Sequence, residues 1–225
     1  MNQQRIQIVQ NILSANDAIA DQNRQLLNKA GLFSINLMAS PGAGKTSLIE
    51  QTVKNLCQDY RILVIDGDIA TTFDADRAMA AGATAIQINT GGDCHLDAVM
   101  LNKALVQADL NQFDLLIVEN VGNLVCPASF ALGTFHNVLV ASVPEGHDKP
   151  HKYPAMYRGV DCVLLNKIDL LPYVEFDVDF FRKGLEALNP NVELLMVSCR
   201  SGEGLENWFH WLRKKIGEFR TQNMV

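Results

Sequence analysis

The sequence predicts an α/β domain of three layers, a mainly parallel sheet of about seven strands between two layers of helices, with one further helix at its N-terminus. Three observations predict it. Short runs rich in apolar and β-branched residues recur seven times, each of strand length. The segments between them have room for helices, and strands joined in that way pair in parallel through right-handed crossovers. Hydrophobic residues make up 48% and charged residues 20% of the 225 positions, enough for one sizeable core and short for two full domains.

The leading helix rests on Ile6, Val9, Leu13 and Ile19 at roughly helical spacing, with Leu26 and Leu27 later and Gly31 as a C-terminal cap. Residues 1–31 are therefore read as an N-terminal helical segment and residues 32–225 as the α/β domain. The strands are "LFSINLMA", "RILVIDGD", "TAIQINT", "FDLLIVEN", "NVLVASV", "DCVLLNK" and "VELLMVS". A doubly wound sheet collects its ligand at the carboxyl ends of its strands. The closing "LENWFHWLRKKIGEFR" sets Leu205, Phe209, Leu212 and Ile216 on one helical stripe that packs on the core, with Lys214 and Lys215 on a solvated end. No internal repeat or low-complexity linker interrupts this order.

The net charge of -6 argues against a nucleic-acid footprint or an anionic membrane surface. No apolar run approaches the roughly 20 residues that cross a bilayer, and "MNQQRIQIVQ" lacks the basic-then-apolar order of a signal peptide, so the chain reads as cytoplasmic. Five scattered cysteines, Cys57, Cys94, Cys126, Cys162 and Cys199, do not make a disulfide framework in a reducing compartment. Free thiols or metal ligands remain.

"ASPGAGKTS", residues 39–47, follows the first strand and matches the phosphate-loop pattern except at Ala39, where the pattern has glycine. This makes the domain a P-loop NTPase. Gly42 and Gly44 let the backbone of Pro41, Ala43 and their neighbours turn its N–H groups around an anion, and the helix opening near Lys45 adds its positive end. Lys45 neutralises β- and γ-phosphate oxygens, Thr46 offers its hydroxyl to Mg²⁺, and Ser47 completes the cradle.

The base is read from "NKIDLLP". An Asp169 carboxylate accepts two parallel hydrogen bonds from the N1–H and exocyclic amine of guanine, which adenine cannot offer, so the nucleotide is GTP. The Lys167 stem lies along the base, Asn166 ties this loop to the phosphate loop, and Ser198 and Cys199 of "SCRSGEG" touch the base from its other side. Two acidic strand ends complete the site. Asp66 or Asp68 of "VIDGD" and Glu119 of "LLIVENVG" are Mg²⁺ ligands, directly or through water, with Gly122 three positions after Glu119. "TTFDADR" is the mobile switch in this reading, with Asp74 orienting the attacking water.

"TGGDCHLDA", residues 90–98, presents Cys94 and His95 at the same sheet edge, and Cys126 follows the Glu119 strand in "VGNLVCP". Two thiolates and an imidazole suit Zn²⁺ or Ni²⁺, and three protein ligands leave a coordination position open for transfer. Asp93 and Asp97 are the simplest caps for the next helix. Cys57 and Cys162 read as buried small hydrophobes, His136 and His210 as scaffold, and His147 and His151 as exposed candidates for extra metal contacts.

Together "SPGAGKT", "DGDIATTFDADR", "TGGDCHLDA", "ENVGNLVCP", "SVPEGHDKPHKYP" and "NKIDLLPY" resemble the HypB family, GTPases that assist nickel insertion into NiFe-hydrogenase, over nearly the whole chain. The resemblance implies a slow GTPase of the dimerising class, forming a GTP-dependent homodimer across its nucleotide faces. It implies nickel or zinc on Cys94, His95 and Cys126, Lys149 reaching toward the partner's nucleotide, and two protein partners, a nickel-delivery accessory protein and the hydrogenase large subunit. "MNQQRIQIVQN" has neither the cysteine cluster nor the histidine-rich stretch of many bacterial members, which leaves the internal site as the metal site. His147 stands where the family pattern has an acidic residue. Two other readings share the phosphate loop: a small-molecule kinase, which needs an acceptor pocket and no Asp169, and a non-hydrolysing nucleotide-gated assembly scaffold. A urease-type nickel GTPase carries a Cys-Pro-His triplet, and this chain has none.

Overall fold

A computed structural model describes residues 2–68 and 73–223, with side chains from residue 12 onward. In chain order the elements are α1 (Asn2–Lys29), β1 (Phe33–Ala39), α2 (Lys45–Leu56), β2 (Ile62–Asp68), α3 (Phe73–Ala81), β3 (Thr84–Asn89), α4 (Ala98–Leu105), β4 (Leu115–Glu119) and β5 (His136–Ser142). There follow α5 (Lys149–Lys152), α6 (Pro154–Arg158), β6 (Cys162–Asn166), α7 (Val178–Leu188), β7 (Glu193–Met196) and α8 (Leu205–Asn223). Each of the seven apolar runs forms a strand. They pair in parallel throughout, in the order β3-β2-β4-β1-β5-β6-β7.

The alternation of side chains along each strand builds the two faces. Phe33, Ile35, Leu37, Val64, Ile117, Val140 and Leu164 point to one face, where α2 and α8 cover them with Leu48, Val53, Trp208, Leu212 and Ile216. The intervening residues point the other way and divide between two clusters. Leu139, Ala141, Val163 and Leu165 meet Met156, Tyr157, Phe181 and Leu185, while Leu63, Ile65, Leu116 and Val118 meet Leu27, Leu101 and Leu105. A polar seam on central β1 lies on this second face: Ser34 and Asn36 are buried there, and the Asn36 amide donates to Asn137 Oδ1 at 3.1 Å.

α1 ends as expected, with Gly31 at φ 65 and the N–H groups of Gly31 and Leu32 donating to the carbonyls of Asn28 and Leu27, each at 3.0 Å. Its buried stripe differs from the expected one. Asn16, Ala20, Asn23 and Leu27 are buried, whereas Leu13, Ile19 and Leu26 are half-buried; the side chains of Ile6 and Val9 lie outside the described residues. The surface beneath α1 offers backbone N–H and C=O groups, and amides suit it better than apolar side chains. Three smaller expectations also shift. α8 runs on to Asn223, so Lys214 and Lys215 lie within it, Lys215 pairing with Glu218 at 3.1 Å. Cys57 caps the exposed end of α2 instead of packing inside, although Cys162 is buried on β6. Asp97 caps α4 by accepting from Met100 N–H at 2.7 Å, but Asp93 makes no such bond and instead joins the turn with Thr90. Among the described residues, no helix is long and apolar enough to cross a membrane.

Candidate functional site

The loop between β1 and α2 has the conformation its glycines allow. Gly42 and Gly44 stand at φ 77 and φ 103, a region L-residues avoid. Ala39 does not need that freedom: it is the last residue of β1, fully buried in the sheet core and paired with Val140. The departure from the usual glycine therefore leaves the turn intact. The loop is braced from behind by the β6 end. Asn166 Nδ2 donates to Ala43 O at 2.9 Å and Lys167 Nζ to Gly42 O at 2.6 Å. A side chain at Gly44 would collide with the Asn166 amide, and one at Gly122 would press on Pro41. Lys45, Thr46 and Ser47 then open α2 and line a cleft of about 510 Å³ with Glu119, Asp74 and Lys167.

The acidic strand ends arrive side by side because Asp66 and Glu119 are register partners on adjacent strands. Both are buried, 1% and 3% exposed. Burial pushes the Asp66 carboxyl up to about 7, reinforced by Asp74 and Asp68 and opposed by Lys45. Burial likewise pushes Glu119 up to about 8 against the pull of Lys45. Thr46 Oγ1 donates to Glu119 Oε1 at 2.9 Å, and Asp66 Oδ2 is buried with no hydrogen-bond partner. A hydroxyl and two buried carboxyls with unused acceptors fit a hard, oxygen-seeking divalent cation such as Mg²⁺. Asp68 lines the outer cleft. Asp74 also lines it, at the start of α3; Thr71 and Thr72 of the expected switch lie outside the described residues.

A second cleft of about 350 Å³ adjoins the first, sharing Gly44, Ser47 and Lys167 and adding Asn166, Asp169 and Cys199. Lys167 takes a left-handed conformation at φ 63, which turns the chain so that its ammonium returns to the phosphate loop. Asn166 Oδ1 accepts from the N–H groups of Lys167 and Cys199, locking the β6 and β7 ends together. Ser198 is a correction to the expected contact with the base. It is fully buried, donates to Asp169 Oδ1 at 2.6 Å, and so orients the carboxylate from behind. Cys199 does line the cleft, and burial pushes its thiol up to about 11, so it is a neutral wall.

Cys94, His95 and Cys126 come together. One ligand atom from each lies within 4.8 Å of the others. Cys94 Sγ donates to Cys126 Sγ at 2.9 Å and lies 3.9 Å from His95 Nδ1. The hydrogen bond to the Cys126 sulfur holds the Cys94 thiol above its usual range, since the neutral donor is favoured. A soft or borderline metal would take the place of that proton on sulfur, the proton leaving to water. The His95 ring lies on Phe130, centroids 4.0 Å apart, and Asn123 Nδ2 donates to Cys94 O at 3.2 Å.

The remaining histidines are not part of it. His147 Nδ1 accepts from Asp177 N–H at 3.1 Å and its ring packs on Phe176 and Phe180; His151 lies on Phe180. Among the described residues neither joins a metal-sized cluster, which corrects the expectation of extra metal contacts. Lys149 opens α5 with Nζ 5.6 Å from the Tyr153 ring and does not line either cleft of its own chain. Two residues escaped the sequence reading. Arg77 lines the phosphate cleft, its Nη2 2.6 Å from Glu50 and 3.3 Å from Ser47 Oγ. Its spacing of three from Asp74 on a helix was the available signal. Asn120 follows Glu119 immediately, is fully buried, and accepts from Leu96 N–H beside His95 at 3.0 Å.

Residues 33–196 match the family model described as the CobW/HypB/UreG nucleotide-binding domain. The chain is 48% identical over 212 residues to the hydrogenase maturation factor HypB of Azotobacter vinelandii, covering 94% of this chain and 70% of that one. In structure it is similar to a HypB from Helicobacter pylori in complex with nickel, with a TM-score of 0.86 at 38% identity over 91% of this chain and 96% of that one. It is also similar to the hydrogenase maturation factor HypB from Archaeoglobus fulgidus, with a TM-score of 0.85 at 35% identity over 90% and 99% of the two chains. With its phosphate loop, the adjoining Asn166–Asp169 loop and the Cys94 and Cys126 thiols on one edge of the sheet, the chain belongs to the HypB family of hydrogenase maturation factors.

Proposed function

We propose that the protein is a GTP-hydrolysing metallochaperone that binds nickel or zinc through Cys94, His95 and Cys126 and assists nickel insertion into NiFe-hydrogenase. The observation that carries this reading is the convergence of a two-thiol, one-imidazole cluster and a phosphate-loop cleft on segments joined through one strand end, Glu119 to Cys126. The nickel complex of the Helicobacter pylori relative supports the cargo.

In this reading the loop amides from Gly42 to Ser47 and the Lys45 ammonium bind the phosphates and stabilise the charge that builds on them as the terminal bond breaks. Thr46, Asp66 and Glu119 would hold Mg²⁺, which would supply further neutralisation of phosphate charge. Asp169, oriented by Ser198, pairs with the guanine edge while the Lys167 stem and Cys199 wall its faces. Asp74 orients the attacking water. Among the described residues that line the phosphate cleft the arginine is Arg77, which is paired to Glu50, so intrinsic turnover is slow. GTP joins two subunits across their nucleotide faces, where Lys149 reaches the partner's nucleotide, and hydrolysis separates them. Cys126 follows Glu119 by seven positions, so the geometry of the metal cluster changes with that cycle and the cargo passes to the next protein in the delivery chain.

The test is metal analysis and size-exclusion chromatography of the purified protein with and without a non-hydrolysable GTP analogue, alongside phosphate release from GTP and ATP. Bound nickel or zinc, analogue-dependent dimers and slow release from GTP alone are the expected results. A metal-free protein that remains monomeric with the analogue, or that handles ATP as well as GTP, overturns the reading.

A further inference from the structure

The two arms of the metal cluster meet directly at few points, the Cys94–Cys126 hydrogen bond, the bond from Asn123 to Cys94 O and the His95 ring on Phe130. Cys94 and His95 lie on the loop that ends at α4 and Cys126 on the loop between β4 and β5, with Cys94 exposed and Cys126 partly exposed. Behind them lies α1, and its buried stripe carries two asparagines where a packed helix ordinarily places apolar side chains. Asn16 is 6% exposed and Asn23 fully buried.

Each asparagine bonds to both arms. Asn16 Oδ1 accepts from Ala98 N–H at 2.9 Å, and its Nδ2 donates to Ala131 O at 2.9 Å. Asn23 Nδ2 donates to Ala98 O at 2.9 Å and to Leu132 O at 3.0 Å, while its Oδ1 accepts from Asn102 on α4 at 2.8 Å. Ala98 is three residues from His95 and Ala131 five from Cys126. The two side chains are seven residues apart on one helix face, with Ala20 between them, and Gly133 at φ 87 passes so close to the Ala20 carbonyl that any side chain there would collide. The Ala98 N–H opens α4 and the Ala131 and Leu132 carbonyls belong to a strandless loop, so none of them has a partner supplied by the sheet.

We infer that Asn16 and Asn23 of α1 are positioning residues for the metal: they bridge the two arms and fix the separation of Cys94 and His95 from Cys126. The inference rests on the metal reading of that cluster. A carboxamide suits the task because it carries donor and acceptor in one rigid plane: Asn16 accepts from one arm and donates to the other, and Asn23 donates to both. Groups that hold ligand-bearing segments in place change metal affinity by about 10- to 100-fold when removed, without touching the ion.

Asn16→Asp keeps the acceptor for Ala98 N–H and replaces the donor to Ala131 O with an oxygen, which releases the Cys126 arm alone. Ni²⁺ and Co²⁺ titrations, by calorimetry and by the thiolate-to-metal charge-transfer band, are compared for the wild type, Asn16→Asp, Cys126→Ala and Thr52→Val. Thr52→Val removes a buried hydrogen bond to Trp208 on the opposite face of the sheet, and so reports general destabilisation. The expected result is at least about a tenfold rise in Kd and a shifted or weakened band for Asn16→Asp, with GDP affinity and the Thr52→Val metal affinity near wild type. Should Asn16→Asp fail to fold, Asn16→Ser, too short to span both arms, carries the same expectation. Wild-type affinity and an unchanged band in the folded Asn16 variant overturn the bridge alone. Equal binding by the wild type and Cys126→Ala overturns the metal reading and the bridge with it.

Discussion

The nucleotide cleft and the metal cluster sit on the same sheet edge, yet they are built in opposite ways. The acidic groups of the cleft are buried and placed by the sheet itself, Asp66 facing Glu119 because β2 and β4 pair in that register. The side chains of the cluster are on loops, Cys94 exposed, and are placed by groups packed behind them: Asn123, Phe130, Asn120 and the asparagines of α1. A strand register fixes position over many hydrogen bonds at once, whereas a loop is fixed by the few bonds that reach it. The cleft therefore behaves as rigid machinery and the cluster as a site whose geometry can be reset.

The largest effect that tests this contrast is at Lys45. Lys45→Ala removes the cation facing the phosphates and the two buried carboxyls. Phosphate release from GTP falls by about 10²- to 10³-fold in a steady-state assay, the loss found when one charge-stabilising donor is removed. Ni²⁺ affinity in the absence of nucleotide stays within about twofold, because the two sites share no direct contact. A comparable loss of metal binding would mean that they are one site and not two.

Next in size is Cys126→Ala. Removing a ligand exceeds the loss from removing its supports, so Ni²⁺ affinity falls by more than about 100-fold in calorimetry. GDP affinity is unchanged. Equal affinity in Cys94→Ala and Cys126→Ala proteins to that of the wild type would sink the assignment of the cluster.

Asp169→Asn comes third. The carboxylate held by Ser198 loses its charge and half of its acceptor pairing, and GTP binding weakens by about 10- to 100-fold, the span of one hydrogen bond to a charged group. ATP binding changes little. If GTP and ATP weaken together, the residue supports the loop and does not read the base.

These differences also explain what was legible in the chain. Every strand could be read: β1, β2, β4, β5 and β6 are largely buried and announce themselves as apolar runs, and the partly exposed edge strands β3 and β7 still carry enough apolar residues to show. The phosphate loop and "NKID" were legible because their geometry is local: Gly42, Gly44, Asn166 and Asp169 act within a few residues of a strand end. Cys94, His95 and Cys126 were legible as chemistry, since few other reasons place thiols and an imidazole at one edge. Their supports were not. Asn16 and Asn23 interrupt an apolar period and weaken the helix signal they belong to, and Asn120 looks like one more polar residue after a strand. Ser198 was assigned to the base because sequence shows which loop a side chain is on, not which way it turns. Cys57 was assigned to the core because helical phase at a helix end is set by where the last turn unwinds.

The smallest effect is the most informative about how the two halves communicate. Asn120 is fully buried one residue after Glu119, and its Oδ1 accepts from both Leu96 N–H and Val121 N–H at 3.0 Å. Its Nδ2 donates to Asn36 Oδ1 at 3.2 Å on central β1, and its own N–H to Leu37 O at 3.0 Å. A shift of Glu119 toward or away from a bound cation therefore moves the acceptor that holds the residue beside His95. Asn120→Ala leaves two buried N–H groups unpaired and lowers stability by about 1–3 kcal/mol in denaturant unfolding. Its distinctive effect is on coupling. In the wild type a GTP analogue changes Ni²⁺ affinity by about fivefold or more, the lower range of coupling between sites. In Asn120→Ala that ratio falls toward one while the separate affinities for nucleotide and Ni²⁺ survive. A variant that is destabilised yet keeps the wild-type ratio would show that the signal travels through Val121 to Cys126 along the chain, and that the contact between Asn120 and Leu96 merely packs the interior.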